Sequence, residues 1–363
     1  MLVTAIEAKP LRSLDRVRVE LAPGIVSVVG PNGTGKTNLI EAIYFALTGR
    51  SFRTSDRRDL IPFGGSLARA EATVRDEDGI EHQLLASVTR TEGRRHLLDG
   101  SPAEPATIAR SRPPVAVFAP DRLSLVKGPP AERRSHLDSF VSARWPARAE
   151  LRKRYGQALA QRNALLSRLA AGHGSPDDLG IWDAGLARAA APLIEARVEA
   201  TAELAKPFAS AAAELGLEYA ALEYAPRASG AAEEIQAGLE ERREQDIRMG
   251  RSSWGPHLDE LKLISGDRSL RRFGSQGQQR AALLALLFAE RAALLNARRV
   301  TPLLLLDDVM SELDPTRRRD LIARLSDGGQ VLITAADEES VPAEARARVV
   351  RTPLSQTESV DLT

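Results

Sequence analysis

The sequence GPNGTGKT, from Gly30 to Thr37, matches every fixed position of the phosphate-binding loop pattern G-x-x-x-x-G-K-[ST]. In front of it, residues 24–29 form a short β-branched apolar run that predicts a buried strand. Behind it, apolar residues recur at helical spacing up to Gly49, where we expect the helix to end. A strand, a glycine-rich loop and a helix are the context in which this pattern binds a nucleoside triphosphate.

The residue types of this loop explain what it would bind. Gly33 and Gly35 allow backbone conformations that are closed to most residues, so consecutive N–H groups can point at phosphate oxygens. The N-terminal end of the following helix adds positive potential. We expect Lys36 to reach the outer phosphates and the Thr37 hydroxyl to bind Mg²⁺. The predicted nucleotide-binding residues are Gly30, Pro31, Asn32, Gly33, Thr34, Gly35, Lys36 and Thr37.

The composition narrows the class of protein. The 363 residues include 50 Lys and Arg against 49 Asp and Glu, so any contact with nucleic acid requires local basic patches. The absence of cysteine excludes disulfides, iron–sulfur clusters and thiolate zinc sites. The N-terminus lacks a signal-peptide pattern, and no apolar run approaches the roughly 18 residues that cross a bilayer. We therefore expect a cytoplasmic protein without membrane contact.

A second motif lies far down the chain, where the apolar run from Leu303 to Leu306 ends in Asp307 and Asp308. A strand that delivers an acidic residue beside a phosphate loop positions Mg²⁺ and the attacking water. We assign Asp307, together with Thr37, to the metal, and we assign Asp308 to the polarisation of water. Asp308 and Lys36 are thus the candidate catalytic residues. The alternative is a buried strand that ends in two solvated carboxylates, and the upstream loop weighs against it.

A third motif, Phe-Gly-Ser-Gln-Gly-Gln-Gln-Arg at residues 273–280, opens a long helix with an apolar face. A small polar segment at a helix N-terminus favours anion binding. The segment resembles the signature motif of ABC-type ATPases, in the SQGQQ variant of the RecF DNA-repair family. Residues 311–314 resemble the D-loop that follows the acidic strand in those ATPases. The resemblance assigns Ser275, Gln276, Gly277 and Gln278 to the signature, acting on a partner subunit, and Asp314 to the D-loop.

Two further stretches are similar to the RecF family. Residues 118–138 contain a proline–acidic segment followed by two adjacent arginines, and residues 255–260, Gly-Pro-His-Leu-Asp-Glu, are similar to the family's GPHRDD. Leu258 stands where the family usually has Arg. The chain lacks the metal-sensing glutamine near Phe118 and the switch histidine after Ile333 that transporter ATPases carry. Slow hydrolysis is consistent with these absences.

The pattern of elements predicts an α/β fold, a P-loop ABC-type ATPase head with a β-rich N-terminal part and an inserted, mainly α-helical domain. We assign residues 1–130 and 250–363 to the ATP-binding domain and residues 131–249 to the helical insertion. Pro192 and Pro207 are expected to kink or end helices there. The longest periodic stretch, residues 149–171, would span about 35 Å. The head therefore lacks the long coiled-coil arm of SMC-like ATPases.

The resemblance implies an ATP-binding, slowly hydrolysing protein of recombinational repair and replication restart. ATP–Mg²⁺ on one phosphate loop would be capped by the Ser275 segment of a second copy, and this ATP-dependent homodimer would clamp DNA. The resemblance also implies SOS induction and the loading of recombinase with the mediator proteins RecO and RecR. Two other functions stay open, the ATPase subunit of a membrane transporter and a non-catalytic nucleotide switch.

Clusters of arginine are the candidate DNA contacts. Aromatic residues make up only 4% of the chain, so platforms for stacking on single strands are scarce. We expect sequence-independent contact with the backbone of double-stranded or gapped DNA instead. Because acidic residues are as abundant as basic ones, each cluster alone is better explained as a solvated face. The clusters are Arg53-Arg57-Arg58, Arg90-Arg94-Arg95, Arg110-Arg112, Arg133-Arg134, Arg271-Arg272 and Arg317-Arg318-Arg319.

Overall fold

The structure, a computed structural model, describes residues 1–54, 56–91, 93–119, 123–298, 301–312, 315–326 and 328–354. Contacts between residues divide the chain into two units. The first unit comprises residues 1–123 together with the chain from residue 294 onward, and the second comprises residues 124–293. None of the helices within the described ranges is both long and apolar enough to span a membrane.

A five-stranded parallel sheet forms the centre of the first unit, with the strand order β14-β3-β13-β12-β8. Its strands are β3 (Ile25–Val29), β8 (Val115–Phe118), β12 (Leu303–Leu306), β13 (Val331–Ala335) and β14 (Val349–Arg351). The central strands β12 and β13 are buried at every position, which explains their unbroken apolar sequences. Because all five strands run in the same direction, their carboxyl ends lie at one edge of the sheet.

A six-stranded antiparallel sheet, in the order β2-β1-β4-β5-β6-β7, completes the β-rich part of the first unit. Its strands are β1 (Leu2–Ala8), β2 (Val17–Glu20), β4 (Leu67–Arg75), β5 (Glu81–Thr89), β6 (Gly93–Leu98) and β7 (Ser101–Pro102). In β4, buried residues alternate with partly exposed ones, as expected for a sheet with one solvated face. The buried positions of β4 are mostly alanine, and helix α1 (Lys36–Thr48) packs against β4 and β5.

One hydrophobic core joins both sheets of the first unit and α1. A buried glutamine, Gln330, fixes the two sheets to each other at one point, since its side chain exchanges two hydrogen bonds with the backbone of Val3 at 2.9 and 2.7 Å. The remaining helices of this unit are α2 (Pro105–Arg110) and α11 (Pro315–Ser326). The Gln330 side chain also donates to the carbonyl of Ala22 at 3.0 Å, so both N–H groups of its amide are hydrogen-bonded.

The second unit is mainly helical, as the sequence predicted for the insertion. Its helices are α3 (Ser124–Lys127), α4 (Pro130–Arg144), α5 (Leu151–Ala170), α6 (Leu179–Glu214), α7 (Ala232–Glu240), α8 (Arg243–Met249), α9 (Leu270–Phe273) and α10 (Gln276–Arg298), of which α10 runs on past residue 293. Its three-stranded antiparallel sheet, in the order β11-β10-β9, contains β9 (Ala220–Ala225), β10 (Glu260–Ser265) and β11 (Arg268–Ser269).

Helix α6 differs from the sequence-based expectation in its length, and of the two outcomes expected at its prolines, a kink or an end, it excludes the end. It continues through Pro192 and Pro207, so neither proline ends a helix. With 36 residues it is also the longest helix within the described ranges, about 54 Å at 1.5 Å per residue, rather than the 35 Å inferred from residues 149–171. Packing explains the difference, because α6 is held by contacts with α4, α5, α7 and β9 along its length.

The boundaries of the second unit also differ from the predicted division. Residues 250–293, which the sequence analysis assigned to the ATP-binding domain, cluster with the helical unit. The physical reason is pairing, because β10 forms an antiparallel ladder with β9 from Ala220 to Ala225, inside the predicted insertion. The predicted division concerns which residues bind ATP, and the contacts between residues do not test that. It therefore stays a prediction.

The second unit is held together by buried ion pairs. Arg162 of α5 is fully buried and donates from Nε to Asp183 of α6 at 2.7 Å and from Nη1 to Asp246 of α8 at 2.6 Å. Nη1 also contacts the hydroxyl of Ser252 at 2.8 Å. Helices α5, α6 and α8 and the loop after α8 are therefore joined by one guanidinium group.

A second buried network joins the two stretches that resemble the RecF family. Arg133 forms a bidentate ion pair with Glu260, at 2.8 and 3.0 Å, and Arg134 donates to the carbonyl of Asp259 at 2.7 Å. The Asp259 carboxylate accepts from Arg197 of α6 at 3.1 Å. The paired arginines and the Gly-Pro-His-Leu-Asp-Glu segment thus stabilise the second unit together, and Arg133, which is buried, is not available to DNA.

We expect Arg162→Ala to destabilise the second unit by about 3–5 kcal/mol, because it leaves the buried carboxylate of Asp246 without its counter-charge and Asp183 with Arg243 alone. The three tryptophans, Trp145, Trp182 and Trp254, all lie in the second unit, so urea unfolding followed by tryptophan fluorescence reports on that unit. The matched control is Lys153→Ala in the same unit, whose exposed pair with Glu150 should contribute at most about 1 kcal/mol. Equal unfolding midpoints for the two variants would contradict this assignment.

Candidate nucleotide-binding site

The glycine-rich loop follows β3 directly and ends where α1 begins at Lys36. Gly35, the residue before the helix, adopts a left-handed conformation with φ of 99°. At Gly30 the constraint is the close approach of the backbone, because a Cβ atom there would lie 2.2 Å from Oγ1 of Thr352. Both positions therefore require glycine, for different physical reasons.

The side chain of Lys36 is hydrogen-bonded to the backbone of the loop. Its ammonium group donates to the backbone carbonyls of Gly30 and Pro31, the latter at 2.9 Å. Burial lowers the pKa of Lys36, and the nearby carboxylates of Asp308 and Asp307 oppose this shift. The cation thus lies in the concave side of the loop, where the predicted phosphates would bind.

Thr37 and Asp307 lie next to each other although they are 270 positions apart in the sequence. The hydroxyl of Thr37 is 3.0 and 2.9 Å from the two carboxylate oxygens of Asp307. Asp307 follows β12, and its backbone N–H donates to the carbonyl of Phe118 at the end of β8, at 2.8 Å. The structure therefore brings the two predicted metal ligands together at the carboxyl edge of the parallel sheet.

The donor set of this pair fits Mg²⁺. A hydroxyl and one carboxylate are hard oxygen ligands, and Mg²⁺ in nucleotide sites is usually held by one or two such side chains plus phosphate oxygens and water. Among the described residues, no group of three or more His, Cys, Asp and Glu side chains is arranged to hold a metal ion. Thr37 and Asp307 would supply two of the ligands, and phosphate oxygens and water the others.

Sequence reasoning missed the contribution of Thr334, which lies in β13 between the two motifs. Its hydroxyl donates to Oδ1 of Asp307 at 2.7 Å and accepts the backbone N–H of Asp308 at 2.8 Å. Burial, the largest effect, raises the pKa of Asp307, and the hydrogen bonds from Thr334 and Thr37 oppose this shift. In the sequence, Thr334 is one polar residue near the end of an apolar strand. Such a residue indicates a role in the site only when the order of the strands is known.

Asp308 occupies an unusual backbone conformation for a residue that is not glycine. Its φ of 51° lies in the left-handed region, and its N–H is held by Thr334. The side chain is partly exposed, and its charge affects Lys36 more strongly than that of Asp307. The charge of Asp308 therefore acts on the cation of the loop.

The predicted signature residues begin α10 in the second unit and form a capping box. The hydroxyl of Ser275 accepts the N–H of Gln278 at 3.2 Å, and the side-chain oxygen of Gln278 accepts the N–H of Ser275 at 2.9 Å. Ser275, Gln276, Gly277 and Gln278 are all exposed. The predicted D-loop residue, Asp314, lies outside the described residues.

Comparisons with known proteins show the family of the chain. The family model described as "RecF/RecN/SMC N terminal domain" matches residues 2–358. The chain is 38% identical to the DNA replication and repair protein RecF of Streptomyces avermitilis, over 94% of this chain and 95% of that protein. It is 35% identical to the protein of the same name from Heliobacterium modesticaldum, over 92% of each.

Solved structures give the same result. A structure of the recombination mediator protein RecF with ATP, in the RecFOR pathway, matches with a TM-score of 0.87 and 27% identity, over 94% of this chain and 93% of that chain. An Smc head bound to the C-terminal winged-helix domain of ScpA matches with a TM-score of 0.57 and 18% identity, over 97% of this chain and 94% of that chain. The predicted fold, an ABC-type ATPase head with a helical insertion, is confirmed.

We expect Lys36→Ala to weaken ATP binding roughly 10- to 100-fold, because the variant loses charge-assisted hydrogen bonds to the outer phosphates. Isothermal titration calorimetry with ATP measures the effect. Lys153→Ala, which removes an exposed lysine of α5, is the control and should bind ATP like the parent. If Lys36→Ala also binds ATP as tightly as the parent, the loop is not the nucleotide site.

Proposed function

The chain belongs to the RecF family of DNA replication and repair proteins, and we propose that it is an ATP-binding, slowly hydrolysing protein of recombinational repair. The observation that supports this best is the contact between Thr37 and Asp307, with Lys36 enclosed in the adjoining loop. This is the arrangement that binds a triphosphate and its Mg²⁺.

The loop residues have distinct roles in nucleotide binding. Backbone N–H groups of residues 33–37 and the dipole of α1 would bind the inner phosphates, and Lys36 the outer ones. Bound Mg²⁺, held by Thr37 and Asp307, would neutralise charge that develops on the phosphates. Lys36 donates to carbonyls of its own loop, so phosphate oxygens would replace these acceptors without moving the cation far.

Asp308 is the residue we assign to orienting the attacking water. Its backbone N–H is held by Thr334, and its partly exposed carboxylate belongs to the residue directly after the proposed metal ligand Asp307. A slow reaction is consistent with the sequence, which has no metal-sensing glutamine near Phe118 and no switch histidine after Ile333. Transition-state stabilisation would then depend on Lys36, Mg²⁺ and groups from a second copy.

The signature segment is suited to act on the nucleotide of a partner copy. In the capping box, the Ser275 oxygen accepts a hydrogen bond, so its own O–H remains available as a donor. The exposed backbone at the start of α10 adds positive potential. Two copies related by two-fold symmetry would close two nucleotides between them, and hydrolysis would open the pair.

The remaining steps of the proposal follow from family membership. ATP-dependent closure would clamp double-stranded or gapped DNA without sequence preference, and the clamp would help to load recombinase with RecO and RecR and to induce the SOS response. A transporter subunit is not supported, since the family and its relatives are DNA replication and repair proteins. A non-catalytic nucleotide switch predicts no turnover, which the following variant tests.

We expect Asp308→Asn to bind ATP and dimerise but to lose turnover, because the amide cannot polarise water while Thr37 and Asp307 still bind Mg²⁺. Steady-state phosphate release measures hydrolysis, and light scattering measures the persistence of the dimer. Asp267→Asn, which alters an exposed carboxylate in the turn between β10 and β11, is the control. Normal phosphate release from Asp308→Asn would remove the role given to this residue, and a parent without turnover would favour the switch.

We expect Ser275→Arg to block the ATP-dependent dimer without changing ATP binding by the monomer, because a bulky cation would occupy the place of the partner's γ-phosphate. Mass measurement by light scattering with and without ATP tests this, and it is also the experiment that tests the proposed function. Ser175→Arg, at another exposed N-cap of the second unit, is the control.

The variant Ser275→Asp distinguishes a role of Ser275 at the partner's γ-phosphate from its role in capping α10. Aspartate is a good N-cap, so α10 keeps its cap, while the added negative charge would repel the phosphate. Loss of the dimer in both Ser275 variants is the expected result. A dimer that survives Ser275→Asp would mean that the segment serves only to begin α10.

A further inference from the structure

Three arginines of the first unit converge at the C-terminal end of α1. Arg50 follows the helix directly, after Gly49. Arg94 of β6 lies over the same end, since its Nη1 atom is 3.5 Å from the Gly49 carbonyl oxygen. Arg57 begins the 3-10 turn that packs against β5, the neighbour of β6. We call this set the α1-end arginines. They derive from two different sequence clusters and from one isolated residue.

The glycine at the end of α1 shows how tightly these groups are arranged. A Cβ atom on Gly49 would lie 3.1 Å from Nη1 of Arg94 and 3.1 Å from Nδ1 of His96. His96 in turn contacts the carbonyl of Ala46 at 2.9 Å. The side chain of Arg94 is therefore positioned against the helix end by its surroundings.

The charges of the α1-end arginines repel one another. Besides partial burial, the positive charges of Arg57 and Arg50 lower the pKa of Arg94. Arg50 similarly acts on the neighbouring Arg112, whose pKa is lowered chiefly by burial. Nε of Arg112 is buried without a hydrogen-bond partner. In the part of the chain that the structure describes, no carboxylate forms an ion pair with Arg50, Arg57 or Arg94.

Other arginines of the same unit are paired, which sets this group apart. On the antiparallel sheet, Arg18 contacts Glu20 at 3.4 Å, Arg69 contacts Glu71 at 2.9 Å and Arg75 contacts Glu81 at 2.8 Å. The positive charges of those three arginines are therefore neutralised by neighbouring carboxylates. Because the chain as a whole has almost equal numbers of acidic and basic residues, an unpaired group of three cations is a local excess of charge.

The dipole of α1 does not account for this excess. A helix C-terminus carries about half a negative charge, whereas the α1-end arginines carry three positive ones. Of their donors, only Nη1 of Arg94 approaches a terminal carbonyl, at a long 3.5 Å. An external anion with several charges would relieve the repulsion that remains.

We propose that Arg50, Arg57 and Arg94 form a phosphate-binding site for the backbone of duplex DNA. The inference rests on the proposed function and deepens it, since it names the part of the first unit that DNA contacts. Guanidinium groups match phosphate oxygens with paired N–H donors, and three on one surface fit successive phosphates of a strand better than a single small anion.

The proposed site is separate from the nucleotide site. Helix α1 has 13 residues and separates the two ends by about 20 Å, with Lys36 at its start and Gly49 just beyond its end. Changes at the α1-end arginines should therefore leave ATP binding intact. This separation allows the two sites to be tested independently.

The test compares Arg50→Gln/Arg57→Gln/Arg94→Gln with a matched control, Arg18→Gln/Arg69→Gln/Arg75→Gln, which removes three paired arginines from the same unit. Fluorescence anisotropy on a random-sequence duplex is measured with ATP, with ADP and without nucleotide, over a range of salt concentrations. For the first variant we expect roughly 100-fold weaker binding at 0.1 M salt and a log–log salt slope smaller by about 2–3. The control should behave like the parent.

The outcomes distinguish the inference from the proposed function. If the parent binds DNA and the α1-end variant binds it equally, with the same salt slope, the inference is wrong and the proposed function stands. If the parent binds duplex in no nucleotide state, both are wrong. Unchanged ATP affinity by calorimetry shows that the variant is folded. Should the triple variant not fold, Arg57→Gln and Arg94→Gln singly must each lower the salt slope by about one, and an unchanged slope would overturn the site.

Discussion

The parallel pairing of β3, β13 and β12 is the constraint on which the candidate site depends. It places the end of the glycine-loop strand and the end of the acidic strand at one edge of the sheet, with β13 between them. Residues that are 270 positions apart are thereby brought within hydrogen-bonding distance. The middle strand supplies Thr334, whose hydroxyl donates to Asp307 and accepts the backbone N–H of Asp308.

The same network explains how a buried carboxylate is tolerated and oriented. Desolvation raises the pKa of Asp307, and the hydroxyls of Thr37 and Thr334 compensate in part by donating to it. Asp308, one residue further, has its backbone in the left-handed region and donates its N–H to Thr334. The two adjacent acidic residues therefore have different environments, since Asp307 is buried and Asp308 is partly exposed.

Local patterns could be predicted from the sequence, and features that depend on the strand order could not. The phosphate loop, the acidic strand and the α10 cap each follow from a few adjacent residues, and the resemblance supplied the fold that the comparisons confirm. Thr334 acquires its role only when β13 is placed between β3 and β12. The continuation of α6 through Pro192 and Pro207 likewise depends on packing along the helix, which outweighs a local preference against proline.

The arginines show why adjacency in sequence is a poor guide to available charge. Arg57 and Arg58 are neighbours, yet Arg58 is paired with Asp56 at 2.7 Å, whereas Arg57 contributes to the charge excess around Arg94. The cluster at residues 133–134 is part of the interior of the second unit, where Arg133 binds Glu260 and three backbone carbonyls. Because the totals of positive and negative residues nearly cancel, the electrostatic surface is set by which carboxylates the fold brings to each arginine. Tertiary structure, rather than composition, thus determines where a polyanion can bind.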